Sequence, residues 1–122
     1  MIIYPDFTNM PVWQKSFDLG VLIYEITKEF PDDEKFGLIS DMKRAVNSII
    51  HNIAEGFGRY EKKDKTRFYK ISRGSSYELM SQSILSFKLG FIKKEKILDD
   101  ALSLSDEIIK ELNALIKSIE CK

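Results

Sequence analysis

The segment NSIIHNIAEGFGRYEKKDKTRF (residues 47–68) contains the end of one helix, a break, and the beginning of another. Ile49 and Ile53 are four residues apart, which is the spacing expected on the buried face of a helix. Gly56 and Gly58 then interrupt this pattern, and glycine is the residue that most readily closes a helix C-terminus. The segment therefore predicts two helices joined by a short connection.

The helical period continues outward from this segment in both directions. A second helix is expected over about residues 36–57, with a core-facing stripe formed by Leu38, Met42, Ala45, Ile49, Ile53 and Phe57. A third is expected over about residues 63–90, with a stripe formed by Phe68, Ile71, Ser75, Leu79 and Ser83. Apolar residues at the same spacing predict a first helix over about residues 11–29 and a fourth over about residues 94–119.

The connections between these helices are short, so consecutive helices are expected to be antiparallel. Prolines occur only at positions 5, 11 and 31, and none lies in the interior of a predicted helix. The predicted fold class is all-α, an antiparallel up-down-up-down four-helix bundle that forms a single domain over residues 1–122.

Composition narrows the class of protein further. Apolar residues make up 43% and charged residues 31% of the 122 residues, a balance typical of a globular domain. No apolar run reaches the roughly 18 residues of a membrane-spanning helix, and the N-terminus lacks the features of a signal peptide. The lone cysteine, Cys121, cannot form an internal disulfide. A cytoplasmic protein that does not engage a membrane is expected.

The sequence offers little catalytic chemistry. His51 is the only histidine, and no second histidine or neighbouring cysteine is present to complete a zinc site. A phosphate-binding glycine loop of the G-x-x-x-x-G-K-[ST] type is also absent from the sequence. These observations predict a protein that is not an enzyme and that needs no metal or cofactor.

A file of polar residues runs along one edge of the second helix. Its central members are Ser48, Asn52 and Glu55, which are separated by four and three residues and therefore lie side by side on the helix. They form either a solvated face or part of an interface between subunits, where unpaired polar atoms would be costly. The sequence leaves both alternatives open.

Two helices carry more apolar residues than one core requires. The first spreads them around much of its circumference, and the fourth has a second apolar seam formed by Leu98, Leu102, Ile109 and Ile116. Large exposed apolar patches are rare on monomers, so we expect an oligomer interface that includes Leu98, Leu102 and Ile109. The alternative is a wide core-facing stripe.

The charge is unevenly distributed. Lys plus Arg and Asp plus Glu each total 19, which argues against a strongly basic nucleic-acid binder. However, seven of the fifteen residues from Arg59 to Arg73 are basic, which gives this block a local charge of +5. Tyr60 and Tyr69 are interleaved with the basic residues, and such a combination suits phosphates and unstacked bases. The predicted nucleic-acid-binding residues of this block are Arg59, Lys63, Arg67, Lys70 and Arg73, and Arg44 of the second helix is added to them.

The alternative is that these charges keep the surface soluble and that the domain is a scaffold for protein–protein interaction, with no nucleic-acid role.

Three segments resemble a known family: VWQKSFDLGVLIYEITKEFPDDEKFGL, RAVNSIIHNIAEGFGR and YKISRGSSYEL. Together they are similar to the bacterial four helix bundle proteins known as 23S rRNA intervening-sequence proteins. The resemblance covers about residues 10–92, and the last helix matches only in type. The matching positions are Arg44, Ser48, Asn52, Glu55, Gly56, Gly58, Arg59, Arg73, Gly74, Ser75 and Glu78.

This resemblance implies a left-handed bundle that assembles into a ring-like homopentamer. The family is similar to the accessory variability determinant of diversity-generating retroelements, a basic pentamer that binds nucleic acid and a reverse transcriptase. The resemblance therefore implies RNA or DNA, and a reverse transcriptase or another protein, as partners. Relatives often carry two arginines where this chain has Lys43 and Arg44, and the retroelement protein is more basic.

Overall fold

The computed structural model describes residues 1–121 and shows an all-α fold of four helices, consistent with a four-helix bundle. The helices are α1 (Pro11–Thr27), α2 (Leu38–Phe57), α3 (Lys62–Lys88) and α4 (Glu95–Glu120). Two short 3-10 helices, Asp6–Asn9 and Asp32–Glu34, precede α1 and α2. Residues 1–121 contain no strand. Each helix packs against the next one in the chain, and α1 also packs against α4.

The helix boundaries differ from the predicted ones mainly between α1 and α2. Pro31 and the 3-10 helix Asp32–Glu34 occupy the connection, so α2 begins at Leu38 instead of residue 36. The backbone N–H of Leu38 donates to Oε1 of Glu34 at 3.1 Å, which satisfies one of the free donors of the first turn. Phe36 is left 89% exposed in this connection. The connection between α3 and α4 turns at Gly90, whose φ of +83° favours glycine.

The core is built mainly from aliphatic side chains of α1, α2 and α4. In α2 the predicted stripe is buried at its centre, and only its last member, Phe57, is 41% exposed. The side chains that are fully buried include Leu19, Ile23, Met42, Ile49, Ile53, Ile108 and Leu112. Burial of each such side chain stabilises the fold by about 1.5–3 kcal/mol relative to leaving it exposed.

The buried stripe of α3 is formed largely by serines, and it differs from the predicted stripe. Ile71 was expected in the core but is 42% exposed. The buried residues of this helix are Thr66, Tyr69, Ser72, Ser76, Leu79, Ser83 and Ser86. The serine hydroxyls donate mainly to backbone carbonyls. Within α3, Ser76 donates to the Ser72 carbonyl at 2.9 Å and Ser83 to the Leu79 carbonyl at 2.8 Å. Ser72 instead donates to the Ile49 carbonyl of α2 at 2.9 Å. Small side chains let α2 and α3 approach closely, so α3 packs well with few large apolar residues.

Candidate nucleic-acid interface

The corner between α2 and α3 positions the basic block. Only residues 58–61 separate Phe57 from Lys62, so the end of one helix lies beside the beginning of the next. The ammonium group of Lys65 donates to the carbonyls of Gly56 (3.0 Å) and Phe57 (2.9 Å). These carbonyls belong to the last turn of α2, where no helical donor remains. Lys65 therefore serves to close α2, and it is a basic residue that the sequence prediction did not single out.

Phe68 lies between two of the predicted arginines. The guanidinium carbons of Arg59 and Arg67 lie 4.7 and 4.4 Å from the centroid of the Phe68 ring, within the range of cation–π attraction. Arg59 also pairs with Glu55 at 3.0 Å, and Arg67 lies 3.8 Å from Asp64. Both arginines are thus held in place by an aromatic face and a carboxylate.

Further along α3, the basic residues meet the end of α4. Nζ of Lys70 lies 2.5 Å from Oε2 of Glu120. Nη1 of Arg73 donates to Oδ1 of Asn113 at 2.8 Å. Lys63 is exposed and forms no ion pair with a carboxylate of residues 1–121.

A shallow groove on the surface of α3 brings three of the predicted residues together. Lys63, Arg67 and Lys70 line it in successive turns, and the other lining residues are Thr66, Ile71 and Glu120. We refer to this feature, defined by these six residues, as the basic groove. Among these six residues, all within the described part of the chain, Glu120 is the only one with a carboxylate.

Arg44 does not belong to this groove. It lies in the second turn of α2 and donates a hydrogen bond to Asp41. This hydrogen bond raises the pKa of the Arg44 guanidinium above its ordinary value. Arg59 lies two residues beyond the end of α2, so the part of the helix from Arg44 to Phe57, about 20 Å long, separates the two arginines. Arg44 instead borders a depression with Phe36, Ile39 and Lys43. The predicted set of six basic residues is therefore divided between two places.

The polar file of α2 finds its hydrogen-bond partners within the same chain, on α3 for Ser48 and on α2 itself for Asn52. Oγ of Ser48 lies 2.8 Å from Oγ of Ser75, and Nδ2 of Asn52 donates to the carbonyl and to Oγ of Ser48 at 2.8 and 3.1 Å. Ser48 and Asn52 are half-buried, whereas Glu55 is exposed and pairs with Arg59. Ser48 thus marks a helix–helix contact within the chain, and Asn52 bonds to Ser48 from the same helix. Neither sequence alternative had described this arrangement.

The second apolar seam of α4 is largely covered within the chain. Ile109 and Ile116 are each only 4% exposed, and Leu98 is half-buried against the core. Leu102 is half-buried as well. The burial of Ile109 and Ile116 fits the alternative of a wide core-facing stripe. Little of this seam therefore remains exposed for contact with a second subunit.

A larger apolar surface lies instead on α1 and α2. A groove of about 430 Å³ is lined mainly by apolar and aromatic side chains, with Asn47, His51 and Glu25 as its polar lining. Its apolar lining is Trp13, Phe17, Gly20, Val21, Tyr24 and Ile50, and we refer to it as the α1–α2 groove. Phe17 and Val21 are 49% and 50% exposed. The spread of apolar residues around the first helix was the sequence signal of this surface, although it did not indicate the groove.

Within residues 1–121, no three His, Cys, Asp or Glu side chains are grouped so that they could hold a metal ion. In the same part of the chain, every helix is too short or too polar to cross a membrane.

The fold and the corner together define a four-helix, all-α protein with basic residues along α3. The chain belongs to the family described as 23S rRNA-intervening sequence protein, which matches residues 8–114. This match confirms the family that the three sequence segments had indicated.

A crystal structure from Bacteroides thetaiotaomicron has the same fold. It is of a protein of unknown function from the S23 ribosomal protein family, with 24% sequence identity and a TM-score of 0.79. The similarity covers 87% of this chain and 98% of that one. No curated protein matches the chain significantly.

Proposed function

We propose that this protein is a non-enzymatic, cytoplasmic homo-oligomer that binds RNA or DNA through the basic groove and the adjacent arginines Arg59 and Arg73. The observation that carries the proposal is the alignment of Lys63, Arg67 and Lys70 along one groove that contains a single carboxylate. Side chains in successive helical turns are about 5.4 Å apart, which suits the spacing of phosphates along a nucleic-acid backbone.

The intrachain ion pairs moderate the expected affinity without removing it. Lys70 and Glu120 are 45% and 46% exposed, so their pair contributes only about 0–1 kcal/mol and can exchange for a phosphate. The groove also lies over the first turns of α3, where the helix N-terminus adds a partial positive charge. Lys63 and Lys62, both in the first turn, are exposed.

The arrangement of the helices that this proposal assumes is up-down-up-down. It is supported by two contacts between α2 and α3. Ser48 contacts Ser75, whereas Gly56, which lies later in α2, contacts Lys65, which lies earlier in α3. Position numbers rise along one helix as they fall along the other, as antiparallel neighbours require. The packing of α1 against α4 is what a closed set of four helices would show.

Self-association is supported by the exposed apolar side chains of α1 and α3. Phe17 and Val21 on α1 and Tyr77 and Leu85 on α3 are each 49–56% exposed. A subunit contact would bury such surface, and large exposed patches are rare on monomers. The expectation of five subunits comes from the family resemblance alone. A ring of any size would repeat the basic groove once per subunit and raise the number of phosphates contacted.

The experiment is a titration of fluorescent structured RNA and duplex DNA at several salt concentrations. Binding should weaken steeply with salt, because each phosphate contact contributes about 0.9 to the slope of log K against log salt for B-DNA. Lys63→Glu and Arg67→Glu should each weaken binding and flatten the slope. The matched control is Lys96→Glu, which makes the same charge change at an exposed position in the first turn of α4. Absence of binding at low salt would overturn the nucleic-acid proposal.

The second candidate function is a protein–protein interaction scaffold. It is favoured by two observations: the apolar α1–α2 groove, and the carboxylates beside Arg44, Arg59, Arg67 and Lys70. By family resemblance a reverse transcriptase or another protein would be the partner. The titration separates the two functions, since a scaffold would bind neither RNA nor DNA at low salt.

A further inference from the structure

The α1–α2 groove has the dimensions of a site for a short apolar peptide. From Trp13 to Tyr24 it follows eleven residues of α1, a length of about 17 Å. Trp13 and Phe17 are stacked, with ring centroids 5.5 Å apart, and they form a continuous aromatic wall. Nothing in residues 1–121 covers Val21, which is 50% exposed.

The same chain carries an apolar segment that the rest of residues 1–121 leaves exposed. Met1, Ile2, Ile3 and Tyr4 are 117%, 73%, 89% and 68% exposed, and none belongs to a helix. We refer to residues 1–4 as the arm. An extended segment of four residues spans about 13 Å, which fits within the groove. A run of apolar side chains exposed to this degree is unfavourable in water, because burial of each CH₂ group would stabilise the protein by about 0.8 kcal/mol.

The arm is attached to an ordered turn and does not pack on its own bundle. Pro5 has an extended backbone (φ −61°, ψ 159°), and its carbonyl accepts hydrogen bonds from N–H and Oγ1 of Thr8. Phe7 in this turn packs edge-on against Trp13, with centroids 5.4 Å apart, at the near end of the groove. The turn therefore lies beside the Trp13 end of the groove of its own chain, and the exposed arm does not line that groove.

We infer that the arm of one copy lies in the α1–α2 groove of a second copy. Arm and groove are different surfaces of the same chain, so the contact is heterologous. It joins copies head to tail, as in a ring, or it joins two copies that exchange arms. Apolar side chains on both surfaces would be removed from water, and Asn47 and His51 at the groove offer polar partners for the Tyr4 hydroxyl. This inference rests on the self-association included in the proposed function.

Trp13 provides a direct probe, because it is the only tryptophan and it lines the groove. We would follow its emission and the mass by light scattering as functions of protein concentration. The variant Ile2→Ser/Ile3→Ser/Tyr4→Ser should raise the dissociation constant at least tenfold and abolish the blue shift of Trp13 on association. The matched control is Phe36→Ser, which removes an equally exposed apolar side chain between α1 and α2 and should change neither quantity.

Crosslinking tests the contact itself. In a Cys121→Ser background, chains with Ile3→Cys are mixed with chains with Val21→Cys and oxidised. We expect a covalent heterodimer several-fold more abundant than that formed when Phe36→Cys replaces Ile3→Cys.

The possible results separate this inference from the proposed function. A wild-type chain that is monomeric at micromolar concentration would overturn the self-association and the inference together. Wild-type oligomers whose mass and Trp13 emission are unchanged by the arm variant would overturn the inference alone. A disulfide that forms within single chains carrying both Ile3→Cys and Val21→Cys, but not between mixed chains, would place the arm in its own groove and would also overturn it.

Discussion

Gly56 of α2 lies directly against the ring of Tyr69 of α3. A Cβ placed on Gly56 would be 2.6 Å from Cε1 and 2.9 Å from Cδ1 of that ring, closer than real side-chain contacts allow. Tyr69 is only 2% exposed, so the ring has little room to move away. This contact holds the corner at which the basic block begins, and it requires the absence of a side chain at position 56.

We expect Gly56→Ala to destabilise the protein. Overpacking against a fixed ring costs about 1–3 kcal/mol, more than the gain of up to about 1 kcal/mol that alanine brings to a helix interior. Urea unfolding followed by circular dichroism measures the difference. A variant as stable as the wild type would contradict this prediction and would show that the Tyr69 ring can shift to accommodate a methyl group.

Gly74→Ala is the matched control within the same pair of helices. Its Cβ would have nothing within 4 Å, and Gly74 lies exposed in the interior of α3. Alanine should therefore raise the free energy of unfolding by about 0.5–1 kcal/mol. The two substitutions are chemically identical, so opposite signs would isolate the contact with Tyr69.

Burial of Tyr69 also predicts a loss of stability at alkaline pH. Burial raises the pKa of the Tyr69 hydroxyl above its ordinary value of 10.0. Below that pH the hydroxyl is protonated in both the folded and the unfolded chain, so it adds no pH dependence. As the pH rises above it, the unfolded chain loses the proton first, and the free energy of unfolding falls.

Tyr69→Phe should reduce this alkaline loss, measured by urea unfolding at a series of pH values. The control is Tyr77→Phe, which removes an exposed hydroxyl from the same helix. An identical fall in stability with pH in the wild type and in Tyr69→Phe would contradict the prediction.

The sequence predicted the four helices well because their signals are local. Apolar periodicity located α2 and α4, and the buried centre of the α2 stripe agrees with it. It misplaced the buried face of α3, where Ile71 is exposed and Ser72 is buried. Hydrophobic periodicity cannot identify a face built from serines, whose hydroxyls return to the backbone of the same or the adjacent helix. That face is defined by the close approach of α2, a tertiary property.

The candidate site was predicted less completely because ion pairs between distant positions are invisible in sequence. Glu55 beside Arg59 and Asp64 beside Arg67 are one helical turn apart and could be anticipated from spacing. Glu120 beside Lys70 is fifty positions away and depends on how α4 packs against α3. The expectation of an interface that includes Leu98, Leu102 and Ile109 stays a prediction. Ile109 is only 4% exposed within the chain, a burial that depends on the helices around α4 and is not visible in the sequence.

The hydrogen bond between Ser48 and Ser75 should couple α2 and α3 within one chain. A double-mutant cycle with Ser48→Ala and Ser75→Ala should give a coupling of about 0.5–1.5 kcal/mol in urea unfolding. The control cycle replaces Ser75→Ala with Ser81→Ala, which is exposed on the same helix. The oligomeric mass should not change in any of these variants, and a change would indicate that the polar file also contacts another subunit.

Removing the single carboxylate of the basic groove should strengthen nucleic-acid binding. Glu120→Gln keeps the shape of the side chain but releases Lys70, whose ammonium is then available to a phosphate. The slope of log K against log salt should steepen by up to about 0.9 for duplex DNA. Stability should change by less than about 1 kcal/mol, because the pair is nearly half exposed. The measurement is fluorescence anisotropy with labelled RNA and DNA.

Glu95→Gln distinguishes a groove effect from an effect of net charge. It removes the same charge from the first turn of α4, outside the basic groove. If binding depends on the groove, Glu120→Gln should raise the affinity and Glu95→Gln should leave it nearly unchanged. Equal increases in both variants would mean that nucleic acid responds only to the overall charge, and Lys63, Arg67 and Lys70 would then have no special role in binding.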